Sequence, residues 1–150
     1  MPVASGTGFC FMIYYTDGYT LLKNPSPTGG GYSIVKKGGK LLHHVKIKKF
    51  NFTNNEAELL GACHSIKIAK KGDTIVVDSR NSMLWIWSGK CPARSDLTPF
   101  AKEANDVMIQ KEIYLALMQR EINLAGHYNE QYDTGCPTLF PSTPVKKRLD

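Results

Sequence analysis

The spacing of apolar and polar positions changes several times along the chain, and each change marks an element. Residues 9–16, FCFMIYYT, are a short aromatic and β-branched run that predicts a buried strand, with the Asp17-Gly18 pair behind it reading as a turn signal. The stretch 24–31, NPSPTGGG, predicts a loop, and YSIVKK and LLHHVKIKKF on either side of Lys37-Gly38-Gly39-Lys40 predict a hairpin. Three antiparallel strands therefore open the chain. The period then becomes helical: Thr53-Asn54-Asn55 offer capping side chains, and Leu59, Cys63 and Ile66 recur at helical spacing up to Gly72. TIVVDS predicts a further strand with Asp78 at its end. A short helical stretch covers 83–87, residues 88–96 read as loop, and Thr98-Pro99 predicts a cap with proline at the first position of a long helix to about Arg120. Residues 121–124 predict a last short strand.

This order, βββαβα(α)β, predicts an α/β fold with a mixed five-stranded sheet, three antiparallel strands followed by parallel additions, flanked by helices. With 150 residues, 42% hydrophobic and 21% charged, the chain has enough apolar surface for one folded domain, which excludes both a disordered chain and a multidomain machine. Residues 134–150 turn to Pro, Thr and a final Lys146-Lys147-Arg148, so the expected division is a domain over 1–133 and a loosely ordered tail over 134–150. No apolar run reaches the roughly 18 residues of a membrane span, and the N-terminus lacks a signal-peptide pattern. Cys10, Cys63, Cys91 and Cys136 form no C-x-x-C pair, which points to a reducing, cytoplasmic setting.

Charge sharpens the picture through its placement. The net charge is +6, and residues 18–55 hold seven lysines and no acid, which favours an anionic partner. Asp17 and Asp78 each end an apolar strand-like run, a position from which side chains project into one crevice of an α/β sheet. Glu58 is expected in the first turn of the helix between them. Three converging carboxylates cannot all ionise cheaply without a cation, and hard oxygen donors suit Mg²⁺ or Mn²⁺; two such ions about 4 Å apart support phosphodiester cleavage. Taken singly, each acid has a plainer reading: a D-G turn for Asp17, a helix cap for Asp78, and a capping box for Asn55-x-x-Glu58. His43, His44 and His64 read as structural, and Lys46, Lys48 and Lys49 as a solvated strand edge. Trp85 and Trp87 cannot both face the core.

Five segments in order carry a resemblance. Tyr15-Thr16-Asp17-Gly18, Asn24-Pro25-Ser26-Pro27 with Gly29-Gly30-Gly31-Tyr32, Thr53-Asn54-Asn55-Glu56-Ala57-Glu58-Leu59, Val77-Asp78-Ser79, and Gly126-His127-Tyr128-Asn129-Glu130 with Asp133 closely resemble type 1 ribonuclease H over roughly residues 9–133. The resemblance implies an RNase H-like fold. It also implies a monomeric endoribonuclease that cuts the RNA strand of RNA–DNA hybrids with two Mg²⁺ ions, Mn²⁺ being a possible substitute, to leave 5′-phosphates. The implied metal ligands and catalytic carboxylates are Asp17, Glu58, Asp78 and Asp133, with His127 assisting proton transfer or product release. Gly18, Tyr19, Asn24, Asn54, Asn55 and Ser79 match positions that hold the hybrid. Only Tyr128 separates His127 from Asn129, a shorter loop than the family usually has, and between 83 and 100 the cations are Lys90 and Arg94 alone. The alternatives are a DNA nuclease of the same fold, resolvase- or integrase-like, and a hybrid-binding module with impaired catalysis.

Overall fold

Strands β1 (Ile13–Thr20), β2 (Gly29–Lys36) and β3 (Lys40–Lys48) form the expected antiparallel meander in a computed structural model that describes residues 11–118 and Ala125. Helix α1 (Asn54–Ile68) follows, then strand β4 (Thr74–Val77), helix α2 (Arg80–Ser88), a short 3₁₀ turn at Ser95–Leu97, helix α3 (Thr98–Lys111) and strand β5 (Tyr114–Leu117). The sheet order is β3-β2-β1-β4-β5, with β4 parallel to both β1 and β5. This is the mixed five-stranded α/β sheet that the element order predicts.

Helix α1 buries Leu59, Ala62, Cys63 and Ile66, one stripe at helical spacing, against β1 and β2. Each fully buried Leu or Ile contributes about 1.5–3 kcal/mol. Gly61 allows the close approach, since a Cβ there would lie 2.5 Å from Thr16 Oγ1 and 3.1 Å from the Tyr32 side chain. The helix starts at Thr53, whose hydroxyl accepts the Glu56 N–H, so the cap is Thr53 with Glu56 and not the Asn55–Glu58 pair. At its other end, Lys111 Nζ reaches from α3 and donates to the carbonyls of Ile66, Lys67 and Ala69 at 3.4, 2.6 and 2.9 Å. An ammonium on otherwise unpaired terminal carbonyls also meets the negative end of the helix dipole. Lys111→Ala is therefore expected to cost about 1–2 kcal/mol, read as a melting temperature lower by about 2–4 °C per kcal/mol; an unchanged melting curve would show that the contact contributes nothing.

Other sequence expectations fail where tertiary contacts override a local signal. Asp17-Gly18 is not a turn: β1 runs on to Thr20, with Asp17 opposite Ser33 and Gly18 opposite Tyr32, so both residues lie inside the ladder and Asp17 is not at a strand end. The long helix stops at Lys111, not near Arg120. Glu112 takes a left-handed conformation (φ 58°) and returns its N–H to the carbonyls of Met108 and Ile109, after which Tyr114–Leu117 pairs with β4. The apolar run from Ile113 suits helix and strand alike, and the free edge of β4 decides it. Thr98 does not cap α3; it is the first helical residue, and its hydroxyl accepts the Cys91 N–H. The strand expected at 121–124 lies outside the described residues.

Candidate metal centre

The ladder between β1 and β4 ends at Tyr15 opposite Val76, whereas the ladder between β1 and β2 continues to Thr20. From Thr16 onward β1 therefore has a recorded strand partner on one side only, and a crevice opens on the other, where the chain leaves β4 at Asp78. This is the switch point of a mixed sheet, the place where α/β folds gather their chemistry. Glu58 enters the crevice from α1, where it is the fifth helical residue and so belongs to the second turn, not the first; Glu56 is the first-turn acid. Gly18 makes the meeting possible. A Cβ at Gly18 would sit 2.6 Å from the Ala57 carbonyl carbon and the Glu58 nitrogen, so only glycine lets the helix close this far over β1.

One oxygen from each of Asp17, Glu58 and Asp78 lies within 4.8 Å of the others. Asp17 and Glu58 are both 1% exposed. Burial first, then the charges of Asp17 and Asp78, hold the Glu58 carboxyl well above the usual carboxylate range; the Gly18 backbone acts the other way. Among the described residues, no basic side chain acts on Glu58. The nearby cations Lys49 and Arg94 are instead paired with Glu56, Arg94 Nη2 at 3.3 Å from Oε1. Glu58 Oε1 is buried with no hydrogen-bond partner. A buried acceptor left in this way beside two further carboxylates is the environment that a hard divalent cation satisfies, and the donor set is all oxygen. The residues present therefore fit a divalent cation.

Around the carboxylates, the Asn54 N–H donates to Asn24 Oδ1 at 3.0 Å, tying the loop after β1 to the start of α1. Asn55 Oδ1 accepts from Asn81 Nδ2 at 3.4 Å, and the Ser79 hydroxyl caps α2 by accepting the Ser82 N–H. Tyr19 is buried, its hydroxyl 3.0 Å from His44 Nε2. Trp87 is exposed and Trp85 half-buried. His127, Asp133, Asn129 and Glu130, with the tail 134–150, lie outside the described residues. Sequence reading missed Asn81, which shares the rim with Asn55, and the Lys49–Glu56–Arg94 cluster. Asn81 is the second residue of α2, just beyond Asp78 and the Ser79 cap, a nearness that could have marked it; Arg94 had no local signal.

The RNase H family model matches residues 11–128. Among solved structures, an N-terminal RNase H domain from Mycobacterium tuberculosis, determined as a fusion with maltose-binding protein, superposes with a TM-score of 0.61 at 19% identity, covering 85% of this chain and 98% of that one. At that identity the likeness speaks for the fold. No curated protein matches.

Proposed function

Since the chain belongs to the RNase H family, we propose that it is a divalent-metal-dependent endonuclease that hydrolyses the RNA strand of RNA–DNA hybrids. The observation that carries this reading is the meeting of Asp17, Glu58 and Asp78 oxygens within 4.8 Å, with one Glu58 oxygen buried and unpartnered. On this reading Asp17, Glu58 and Asp78, joined by Asp133, hold Mg²⁺ ions. Bound there, the ions supply Lewis-acid stabilisation of the phosphate and an acidified water.

The chain's own groups do the rest. Asn24, braced by the Asn54 N–H, and Asn55, braced by Asn81, fix the rim over which the hybrid lies. Asn54 and Ser79 complete that rim, and Gly18 and Tyr19 present β1 to the RNA strand. Contacts to the 2′-hydroxyl tell RNA from DNA. His127 assists proton transfer or product release. The lysines of 18–55 neutralise phosphates, so affinity falls steeply with salt. Among the described residues, no helix is long and apolar enough to cross a membrane.

A gel assay on a labelled hybrid, single-stranded RNA and duplex DNA checks the proposal. The expected result is cleavage of the RNA strand of the hybrid alone, in Mg²⁺ and not in EDTA, leaving 5′-phosphates. Equal cutting of duplex DNA would make the protein a DNA nuclease of this fold. Tight hybrid binding without cleavage in Mg²⁺ or Mn²⁺ would make it a binding module.

A further inference from the structure

Sequence alone marks His43 and His64 as structural residues, and the fold brings the two together. The register shift between Ile34 and Val35 sets His43 opposite Ile34, on the face of the sheet whose side chains form the core under α1. His44 lies opposite Ser33 and faces the other way, its Nδ1 2.8 Å from Ser33 Oγ. His64 comes from α1, and its ring centre lies 4.7 Å from that of His43, the planes tilted by 41°. His43 is exposed and His64 half-buried, so the pair stands at the margin between helix and edge strand, open to an ion from solvent.

Two imidazoles are a donor set unlike the carboxylates. With metal–nitrogen bonds of about 2.0–2.1 Å and roughly 1.1 Å more to each ring centre, two rings on one ion at about 90–110° have centres about 4.5–5.2 Å apart. The observed 4.7 Å falls inside that range. Tyr32 prepares one of the ligands. Its hydroxyl is 2.8 Å from His64 Nδ1, its ring meets the imidazole edge-on at 87°, and it is itself buried in the core. With Nδ1 so engaged, Nε2 is the nitrogen left for a metal, and an Nδ1–H donating to the tyrosine oxygen puts the lone pair there. Burial first, then His43 and Lys67, hold the His64 imidazole below its usual range, so the ring is neutral at pH 7, the form that binds metal. Lys67 is paired with Glu103 at 3.1 Å, which offsets that ammonium's charge. Imidazole donors select Zn²⁺, Cu²⁺ or Ni²⁺, whereas Mg²⁺ keeps to oxygen.

We propose that His43 and His64 form a site for one transition-metal ion of the Zn²⁺, Cu²⁺ or Ni²⁺ class, completed by water, and that the ion clips α1 to the edge strand β3. The helix packs chiefly on β1 and β2, so the clip adds a link that the side chains alone do not supply. Isothermal titration of the wild type with Ni²⁺ in millimolar Mg²⁺ should show a binding event that His43→Gln and His64→Gln each weaken about tenfold or more. Tyr32→Phe keeps the ring, removes the hydroxyl and should weaken it by about tenfold. Ni²⁺ should also raise the melting temperature of the wild type and not that of His43→Gln, since an ion held only by the folded chain stabilises it. His43 is exposed, so glutamine there leaves the fold intact. Wild-type affinity for Ni²⁺ in the folded His43→Gln and His64→Gln variants overturns the site, as does a wild type that binds no Ni²⁺ in the presence of Mg²⁺.

Discussion

Asp17→Asn should abolish hybrid cleavage and, in the same protein, raise the stability of the metal-free fold. The activity loss follows from removing one donor of a site whose cations are asked for several kcal/mol of transition-state stabilisation; about 4 kcal/mol corresponds to a thousandfold loss. The stability gain follows from the burial of the acids, since Asp17 is 1% exposed and its charge is one of those that raise the Glu58 pKa. An amide of the same shape removes that repulsion, worth about 1–2 kcal/mol, or about 2–4 °C of melting temperature per kcal/mol. Added Mg²⁺ should reverse the ranking by stabilising the wild type and not the variant. Acidity gives a second reading of the same physics. A carboxyl whose folded pKa lies above its unfolded value favours the fold fully below the unfolded pKa, near 4.5, and that advantage is lost as pH rises through the folded value. Metal-free wild type should thus lose this stability contribution upward from about pH 4.5, and the Asn variant should lose less. A variant that melts below the wild type in EDTA would contradict this repulsion.

Gly18→Ala should damage both stability and catalysis through a single methyl group. The added carbon would lie 2.6 Å from Ala57 C, Ala57 Cβ and Glu58 N, and two of these three are backbone atoms that no rotamer change can move. The helix must retreat by about 1 Å to restore ordinary contact near 3.5–4 Å. Overpacking of this kind costs about 1–3 kcal/mol. Because Glu58 travels with the helix, the same retreat pulls one carboxylate from the other two, and a displacement of about 1 Å can cost about a hundredfold in rate. Differential scanning calorimetry and the cleavage assay together check this. Wild-type melting and wild-type cleavage in Gly18→Ala would mean that α1 shifts freely over β1.

Much of this was legible in the residues. The meander, α1 and β4 follow from period changes and from the Lys37–Lys40 turn, because there local propensity and tertiary pairing agree. Asp17 and Asp78 stood out as charges in apolar runs, an arrangement that needs a partner. What escaped was decided by contacts far apart in sequence. Glu56 and Glu58 sit two apart on one helix, and only the fold shows that Lys49 and Arg94 meet the first while the second turns to Asp17. Residues 113–117 fit a helix as well as a strand until the open edge of β4 is known. The Ser33–His44–Tyr19 bonds depend on the β2–β3 register, which shifts between Ile34 and Val35, and no pattern of side chains announces such a bulge.

The position of β1 at the centre of the sheet also orders events during synthesis. The meander and α1 leave the ribosome first, and they already contain Asp17 and Glu58; the neighbour that completes the other side of β1 is β4, and Asp78 is the residue immediately after it. A nascent chain that has reached only α1 therefore confines two acids, and the third arrives together with the strand that locks the sheet. This like-charge confrontation is thus deferred until the framework able to restrain it has been made.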